Sequence, residues 1–248
     1  MKALEGKIAL VTGASKGIGA AIAMTFAAAG ARVIVNYCQD EAGAADVVTD
    51  ICALGSDAIA VQADIARAGD VERLFARSIE QFGRPDIVVN NAGRFHHGAF
   101  EALSLPEMQQ QLNVNVLGTL LICQQAVKHF PQQGGVIINL SALDSQQSTP
   151  GSVLWAATKG AIDTLTQGLA RELGPRNIRV NALAPGIILT EGLLAAKKMS
   201  PDVKASLIAA TPLGRFGLPE DVAQVALFLA SDEAAYVSGE RVLIAGGA

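Results

Sequence analysis

Aromatic residues are scarce: eight phenylalanines, two tyrosines and one tryptophan in 248 residues. Cysteine is scarcer still. Cys38, Cys52 and Cys123 are odd in number and widely spaced, a pattern that excludes a disulfide framework and a thiolate metal site. They read as small buried hydrophobes in a chain of the reducing cytoplasm. The three histidines (His96, His97 and His129) form no metal-ligand spacing and no Ser-His-Asp arrangement. Charge is sparse as well, with 19 Lys and Arg against 23 Asp and Glu and a net charge of −4. Without a basic stripe there is no case for nucleic acid or an anionic membrane as partner. No apolar run approaches the ~18 residues of a spanning helix. Met1 to Lys7 leads into the first apolar run without a signal-peptide pattern. No linker, repeat or low-complexity block interrupts the chain.

What is present is apolar and regularly punctuated. Half of the residues are hydrophobic, enough for one sizeable core in a single domain over residues 1–248. Apolar runs at 8–11, 32–35, 58–61, 87–89, 136–140, 179–183 and 242–244 alternate with stretches of helical period. Those stretches lie at 17–29, 42–54, 71–82, 106–130, 153–173 and 219–230. Several runs are continuous rather than alternating, as in parallel strands covered on both faces. Repeated β–α units predict an α/β fold: a doubly wound parallel seven-stranded sheet of Rossmann type with helices on both faces. Residues 186–217 are less regular, with short helical stretches at 193–198 and 201–210. They read as a substrate-covering segment, either a mobile lid or a fixed insertion.

The first run ends in Thr12-Gly13-Ala14-Ser15-Lys16-Gly17-Ile18-Gly19 and opens directly into a helical stretch. Glycines let the backbone approach a pyrophosphate, and a helix N-terminus offers unpaired N–H groups and a positive dipole. The spacing Gly-x-x-x-Gly-x-Gly differs from the commoner Gly-x-Gly-x-x-Gly, and such a turn alone is a weak signal. Its place after a first strand, ahead of a β–α series, predicts a dinucleotide site.

Further motifs follow in order: Asp64-Ile65, Asn90-Asn91-Ala92-Gly93, Asn115-Val116-Leu117-Gly118, the helix carrying Lys159, and Pro185-Gly186 with Thr190. Together with Thr12 to Gly19 they make the chain similar, from about Leu4 to its end, to the short-chain dehydrogenases/reductases, the family that includes the 3-oxoacyl-carrier-protein reductases. The resemblance implies a nicotinamide dinucleotide held by Gly13, Ser15, Lys16, Gly17, Ile18 and Gly19. It puts Asp64 and Ile65 at the adenine, and Asn91, Ala92 and Gly93 along the cofactor. Lys159 falls at the nicotinamide ribose, and Pro185, Gly186, Ile188 and Thr190 at the carboxamide and phosphates. Asn36 closes the second strand, where an NAD-preferring member carries an acid for the ribose 2′-hydroxyl. With no carboxylate there and Lys16 in the glycine loop, NADP(H) is favoured over NAD(H).

The same resemblance implies four catalytic groups. A tyrosine and a lysine stand at i and i+4 on one helix face. A serine sits on the neighbouring strand-end loop, and an asparagine anchors a water of the proton relay. Lys159 and Asn115 answer to two of these. Trp155 stands at the tyrosine position, and Ala142, thirteen residues earlier at the family's interval, replaces the serine. Ser141 beside it should point away along an extended segment. An indole N–H donates a hydrogen bond but keeps its proton near neutral pH, whereas a phenol can release one. A positioned acid is worth about 10²–10⁴-fold and an oxyanion-type donor roughly 10²–10³-fold, so the family reaction would be severely slowed. The candidate replacement acids are His96 and His97, histidine being the natural substitute for a lost acid, and Asp144 on the loop rimming the cleft. The plainer readings are solvent-facing loop histidines and a loop-capping aspartate. Tyr37, near the adenosine end, and Tyr236, near the C-terminus, are not obvious replacements.

Three functions fit these residues. The working expectation is an NADP(H)-binding oxidoreductase, a carbonyl reductase with an atypical active site. The second is a catalytically silent cofactor-binding subunit, in a hetero-oligomer with an active homologue. The third is a non-redox lyase or isomerase on the same fold. The substrate is a small molecule or a carrier-bound acyl group. Lys197, Lys198 and Lys204 either favour an anion or form a solvated face. The stretches 106–130, 153–173 and 237–248 resemble the family's subunit contacts, which implies a homotetramer.

Overall fold

The computed structural model describes residues 2–196 and 200–248. Seven strands form one sheet: β1 (Ile8–Val11), β2 (Arg32–Tyr37), β3 (Ala58–Gln62), β4 (Ile87–Asn90), β5 (Gly135–Leu140), β6 (Ile178–Pro185) and β7 (Arg241–Ile244). Their order is β3-β2-β1-β4-β5-β6-β7 and every neighbouring pair is parallel. This is the doubly wound sheet that the apolar runs predict. The helices that return the chain are α1 (Gly17–Ala28), α2 (Glu41–Ala53), α3 (Ala68–Phe82), α4 (Leu105–Leu112), α5 (Thr119–His129), α6 (Val153–Leu173), α7 (Glu191–Ala196), α8 (Pro201–Ala209) and α9 (Pro219–Ala230).

Successive side chains on a strand point to opposite faces, so each strand feeds two cores. Ala9, Val11, Val33, Val35, Val89 and Ile138 pack with α1, α2 and α9. The intervening Leu10, Ile34, Val88 and Ile137 pack with α3, α5 and the end of α6. Each fully buried Leu, Ile or Phe contributes on the order of 1.5–3 kcal/mol, and both layers are continuous.

The stretch 106–130 departs from expectation, because it is not one helix. The Ser104 hydroxyl accepts from the Glu107 N–H, and the Glu107 carboxylate accepts from the Ser104 N–H at 3.0 Å. That reciprocal cap starts α4. A π-helical turn at Asn113–Gly118 then separates α4 from α5. One extra residue in a turn leaves composition untouched but shifts the phase of the helix, and such turns recur at functional sites. Here the turn buries Asn115 against the loop that follows β4.

Candidate active site

The C-terminal ends of β4, β5 and β6, with the loop after β1, border a cleft of about 680 Å³. It lies where the chain, having run β1-β2-β3 in one direction, resumes at β4 on the other side of β1, the crevice position of open α/β sheets.

The glycine loop forms one wall. Gly13 holds φ +60°, and a Cβ there would lie 2.9 Å from the Ala92 Cα. A Cβ at Gly19 would collide with the Asn91 amide and the Gly13 carbonyl. Asn91 Nδ2 donates to the Thr12 and Gly13 carbonyls at 2.8 and 2.9 Å, locking the loop to the end of β4. Gly17, Ile18 and Gly19 line the cleft at the first turn of α1, where N–H groups have no intrahelical acceptor. The Lys16 ammonium lies 3.0 Å from the Asp40 carboxylate. Lys16 and the Gly43 N–H hold that carboxyl below its usual range. Ser15 also bonds Asp40.

Asn36 does not face the cleft, which corrects the reading from its position. β2 runs on to Tyr37, and Asn36 is buried. Its Nδ2 donates to the Val61 and Ala63 carbonyls at 3.2 Å, and its Oδ1 accepts from the Gly13 N–H at 3.3 Å. The amide is occupied as a bracket between β2, β3 and the glycine loop. Asp64 caps its own turn by accepting from the Ala66 N–H, and Ile65 is buried against Gly118. Both lie outside the 680 Å³ cleft.

The opposite wall comes from α6. Trp155 and Lys159, one turn apart, both line the cleft. Lys159 is 4% exposed. Its Nζ donates to the Leu140 carbonyl at 2.5 Å and sits 4.6 Å from the centroid of the Trp155 ring. Burial pushes the Lys159 amine down to about 8, with Asp163 opposing the shift. Phe95 meets Trp155 edge-on at 5.3 Å and an interplanar angle of 87°, a favoured aromatic geometry.

Asn115 orients this aromatic pair. Its Oδ1 accepts from the Arg94 N–H at 2.7 Å, and its Nδ2 donates to the Arg94 carbonyl at 2.9 Å and to Thr158 Oγ1 at 3.1 Å. The Thr158 hydroxyl in turn donates to the Trp155 carbonyl at 2.7 Å. One amide thus ties the loop bearing Phe95 to the helix turn bearing Trp155. Ala142 is extended, buried and on the wall. Ser141 lines the cleft too, but its hydroxyl donates to the Lys159 carbonyl at 3.4 Å. His97 and Asp144 border the opening. His96 does not: it turns outward, 3.6 Å from Glu107. Among the described residues no tyrosine lines the cleft; Tyr37 is buried in the sheet and Tyr236 is fully exposed.

Several contributors are invisible to motif reading. Asn139, in register with Asn90, accepts from it at 2.8 Å and donates to Thr166 of α6 at 2.9 Å, pinning α6 to the sheet. The available signal was an asparagine inside an otherwise apolar run, where a buried amide must have partners. Arg241 Nε lies 3.1 Å from Asp163 and 3.2 Å from Ser145 Oγ, and its Nη2 donates to the Ala142 carbonyl at 3.0 Å. Nothing in the spacing of these residues announces that knot.

Residues 13–248 match the family model described as enoyl-(acyl carrier protein) reductase. An uncharacterised oxidoreductase of Methylorubrum extorquens is 47% identical over 247 residues, covering 100% of this chain and 99% of that protein. The chain belongs to the short-chain dehydrogenase/reductase family. Another relative is a 3-oxoacyl-[acyl-carrier-protein] reductase of Synechocystis, 39% identical over 100% of this chain and 98% of that one. A short-chain dehydrogenase of Burkholderia cenocepacia, solved in complex with NADP, superposes with a TM-score of 0.92 at 38% identity, over 99% of this chain and 98% of that one.

In this dehydrogenase/reductase the segment after β6 leaves and returns at one place. The Leu189 N–H donates to the Gly217 carbonyl at 2.8 Å and the Gly217 N–H to the Ile187 carbonyl at 3.0 Å. Pro185, Gly186, Ile188 and Thr190 lie along the cleft, and the Thr190 hydroxyl accepts from the Leu193 N–H to start α7. Lys204 is exposed on α8, while Lys197 and Lys198 lie outside the described residues. Among the described residues no helix is long and apolar enough to cross a membrane, and no His, Cys, Asp or Glu cluster suits a metal ion.

Proposed function

We propose that this short-chain dehydrogenase/reductase is a carbonyl reductase that uses NADP(H) and an atypical active site. One observation carries the reading: a single cleft runs from the first turn of α1 to the ammonium of Lys159. When bound, the dinucleotide supplies the hydride. Its pyrophosphate suits the stretch from Gly13 to Gly19, where close backbone packing leaves no room for side chains and α1 offers free N–H groups. Asp64 and Ile65 would take the adenine; Asn91, Ala92 and Gly93 the length of the cofactor; Lys159, Pro185, Gly186, Ile188 and Thr190 the nicotinamide end. Lys16 supports NADP(H) over NAD(H), and the NADP held by the Burkholderia cenocepacia protein is consistent with it. Asp40, not Asn36, is the residue that tempers this preference.

Phe95, Leu143, Trp155, Ile187 and Leu207 make the walls apolar and support an apolar ketone or a carrier-bound 3-oxoacyl group as substrate. Exposed Leu112, Leu117 and Leu120 support assembly into a homotetramer. Three free cysteines favour a reducing cytoplasm.

A second reading, the silent cofactor-binding subunit, is favoured by the Trp155 ring, which covers Lys159 where a hydroxyl would be needed. NADPH oxidation with a panel of 1-tetralone, an o-quinone and a 3-oxobutanoyl thioester separates the two. The reductase reading expects turnover by the wild-type chain. Turnover only after Trp155→Tyr with Ala142→Ser establishes the silent subunit instead.

A further inference from the structure

Among the described residues the cleft holds one buried cation, Lys159, and few groups able to release a proton. Indole keeps its N–H proton. The Ser141 hydroxyl is engaged with the Lys159 carbonyl. His97 is exposed, its ring 6.4 Å from Phe95. Lys159 is different. An ammonium has three donor hydrogens, and among the described residues this one has a single hydrogen-bond acceptor, the Leu140 carbonyl. The indole face covers it on another side, an attraction that steadies a desolvated cation. No carboxylate lies within ion-pair distance of it among the described residues. Gly93, without a side chain, leaves its flank open: a Cβ there would already stand only 3.7 Å from Nζ.

We propose, building on the reductase reading above, that Lys159 Nζ is itself the proton donor of this cleft, with Trp155 as the cover that seals its ammonium from bulk water. In the reduction the carbonyl carbon gains the hydride supplied by the reduced dinucleotide, and the C=O π pair closes onto oxygen. An N–H bond of Lys159 breaks as the O–H bond of the alcohol forms. Once the alcohol and the oxidised dinucleotide leave and the cleft opens, the neutral amine takes up a proton from bulk solvent, which restores the ammonium for the next turnover. Desolvation brings this amine down to about 8, close to working pH, where an acid is most effective. Asp163, held by Arg241 and Ser145, restrains that fall. Among the described residues, the other charged or titratable groups lining the cleft are Lys16, His97, Asp144 and Glu191; Arg94 and His96 lie on the loop that carries Phe95, and Arg171 and Glu172 lie farther along α6.

Trp155 is the only tryptophan, so its emission reports the amine above it without any turnover. A protonated amine quenches indole, so emission is expected to rise with a midpoint near pH 8, the rise being absent in Lys159→Gln and moved to lower pH in Asp163→Asn. A flat emission profile from pH 7 to 9.5 overturns the proposal. In the carbonyl panel with NADPH, kcat is expected to fall above the same midpoint. Lys159→Arg keeps the cation but cannot give up its proton. It is expected to lose about 10²–10⁴-fold in kcat while NADPH still quenches Trp155. Trp155→Phe keeps a ring over the amine but removes the indole N–H, so its fall in kcat is expected to be smaller than that of Lys159→Arg, with NADPH binding followed by the dinucleotide's own emission. Loss of reduction in Trp155→Phe with binding intact assigns the role to the indole N–H and overturns the proposal. Undiminished turnover by Lys159→Arg overturns it and leaves the reductase reading standing. Absence of wild-type turnover while NADPH quenches Trp155 overturns both.

Discussion

Asp40 governs how much of the Lys16 charge is felt at the mouth of the cleft. The two lie 3.0 Å apart, Lys16 exposed and Asp40 half-buried, so each cancels part of the other's field. Asp40→Asn keeps an oxygen for the Gly43 N–H and so keeps the cap of α2. It frees Lys16 for a 2′-phosphate. NADPH affinity is expected to rise about 2–5-fold, the range of an exposed charge pair, with NADH affinity unchanged. Titrating dinucleotide emission at low and high salt checks this, because the gain should shrink as salt screens it. At this scale sequence reading is uneven. Lys16, Trp155 and Lys159 were legible because motif and helical period locate them. The partner of Lys16 was not, since nothing ties residue 40 to residue 16 until the fold closes. Asn36 was misread because strand-end position does not say which way an amide turns, and here backbone acceptors on β3 captured it. His96 lies outward beside Glu107 of α4, as the plainer reading of the loop histidines expects.

At the scale of elements, the C-terminal end of the segment over the cleft is tied down by one carboxylate. Asp221 accepts from the Leu218 N–H at 2.7 Å and takes both Arg215 guanidinium nitrogens at 2.6 and 2.9 Å. Arg215, with the Leu218 N–H second, holds its carboxyl down to about 2, against an ordinary 3.8. A depressed carboxyl stabilises the fold above its unfolded value, and that contribution drains away as pH falls through the folded one. Asp221→Asn is therefore expected to lower the thermal midpoint at pH 7 by about 2–4 °C, the shift of one modest interaction in a chain of this size. The difference from wild type should shrink steeply as pH falls from 4 to 2. Thermal scans across that range decide it, and an offset undiminished at pH 2 would contradict it. The π-helical turn at Asn113–Gly118 was the least legible element. Its residues, two Asn, two Val, a Leu and a Gly, do not tell a π turn from an α one, and only tertiary capture of Asn115 by Arg94 and Thr158 makes the extra residue worthwhile.

For the whole molecule, the sheet was the most legible feature. Continuous apolar runs separated by amphipathic stretches admit few arrangements, and parallel pairing with both faces covered is the one observed. Assembly is only half-written in the chain: Leu112, Leu117 and Leu120 are exposed around the π turn, and Leu213, Leu218, Phe228 and Leu243 elsewhere. The tetramer reading expects light scattering to return the mass of four 25.6 kDa chains. Leu117→Glu should reduce that mass by setting a charge into a buried contact. A single-chain mass for the wild type would refute the tetramer.

The paired bonds between residues 187, 189 and 217 have a further bearing. They make the excursion between them a detour that rejoins the main road where it left. Its length and content are thus free to drift, or to be exchanged wholesale with a cousin's, while the strands beneath keep their register. Diversity in what such proteins recognise can accumulate in that one insert, and the machinery for moving a hydride need never be rebuilt.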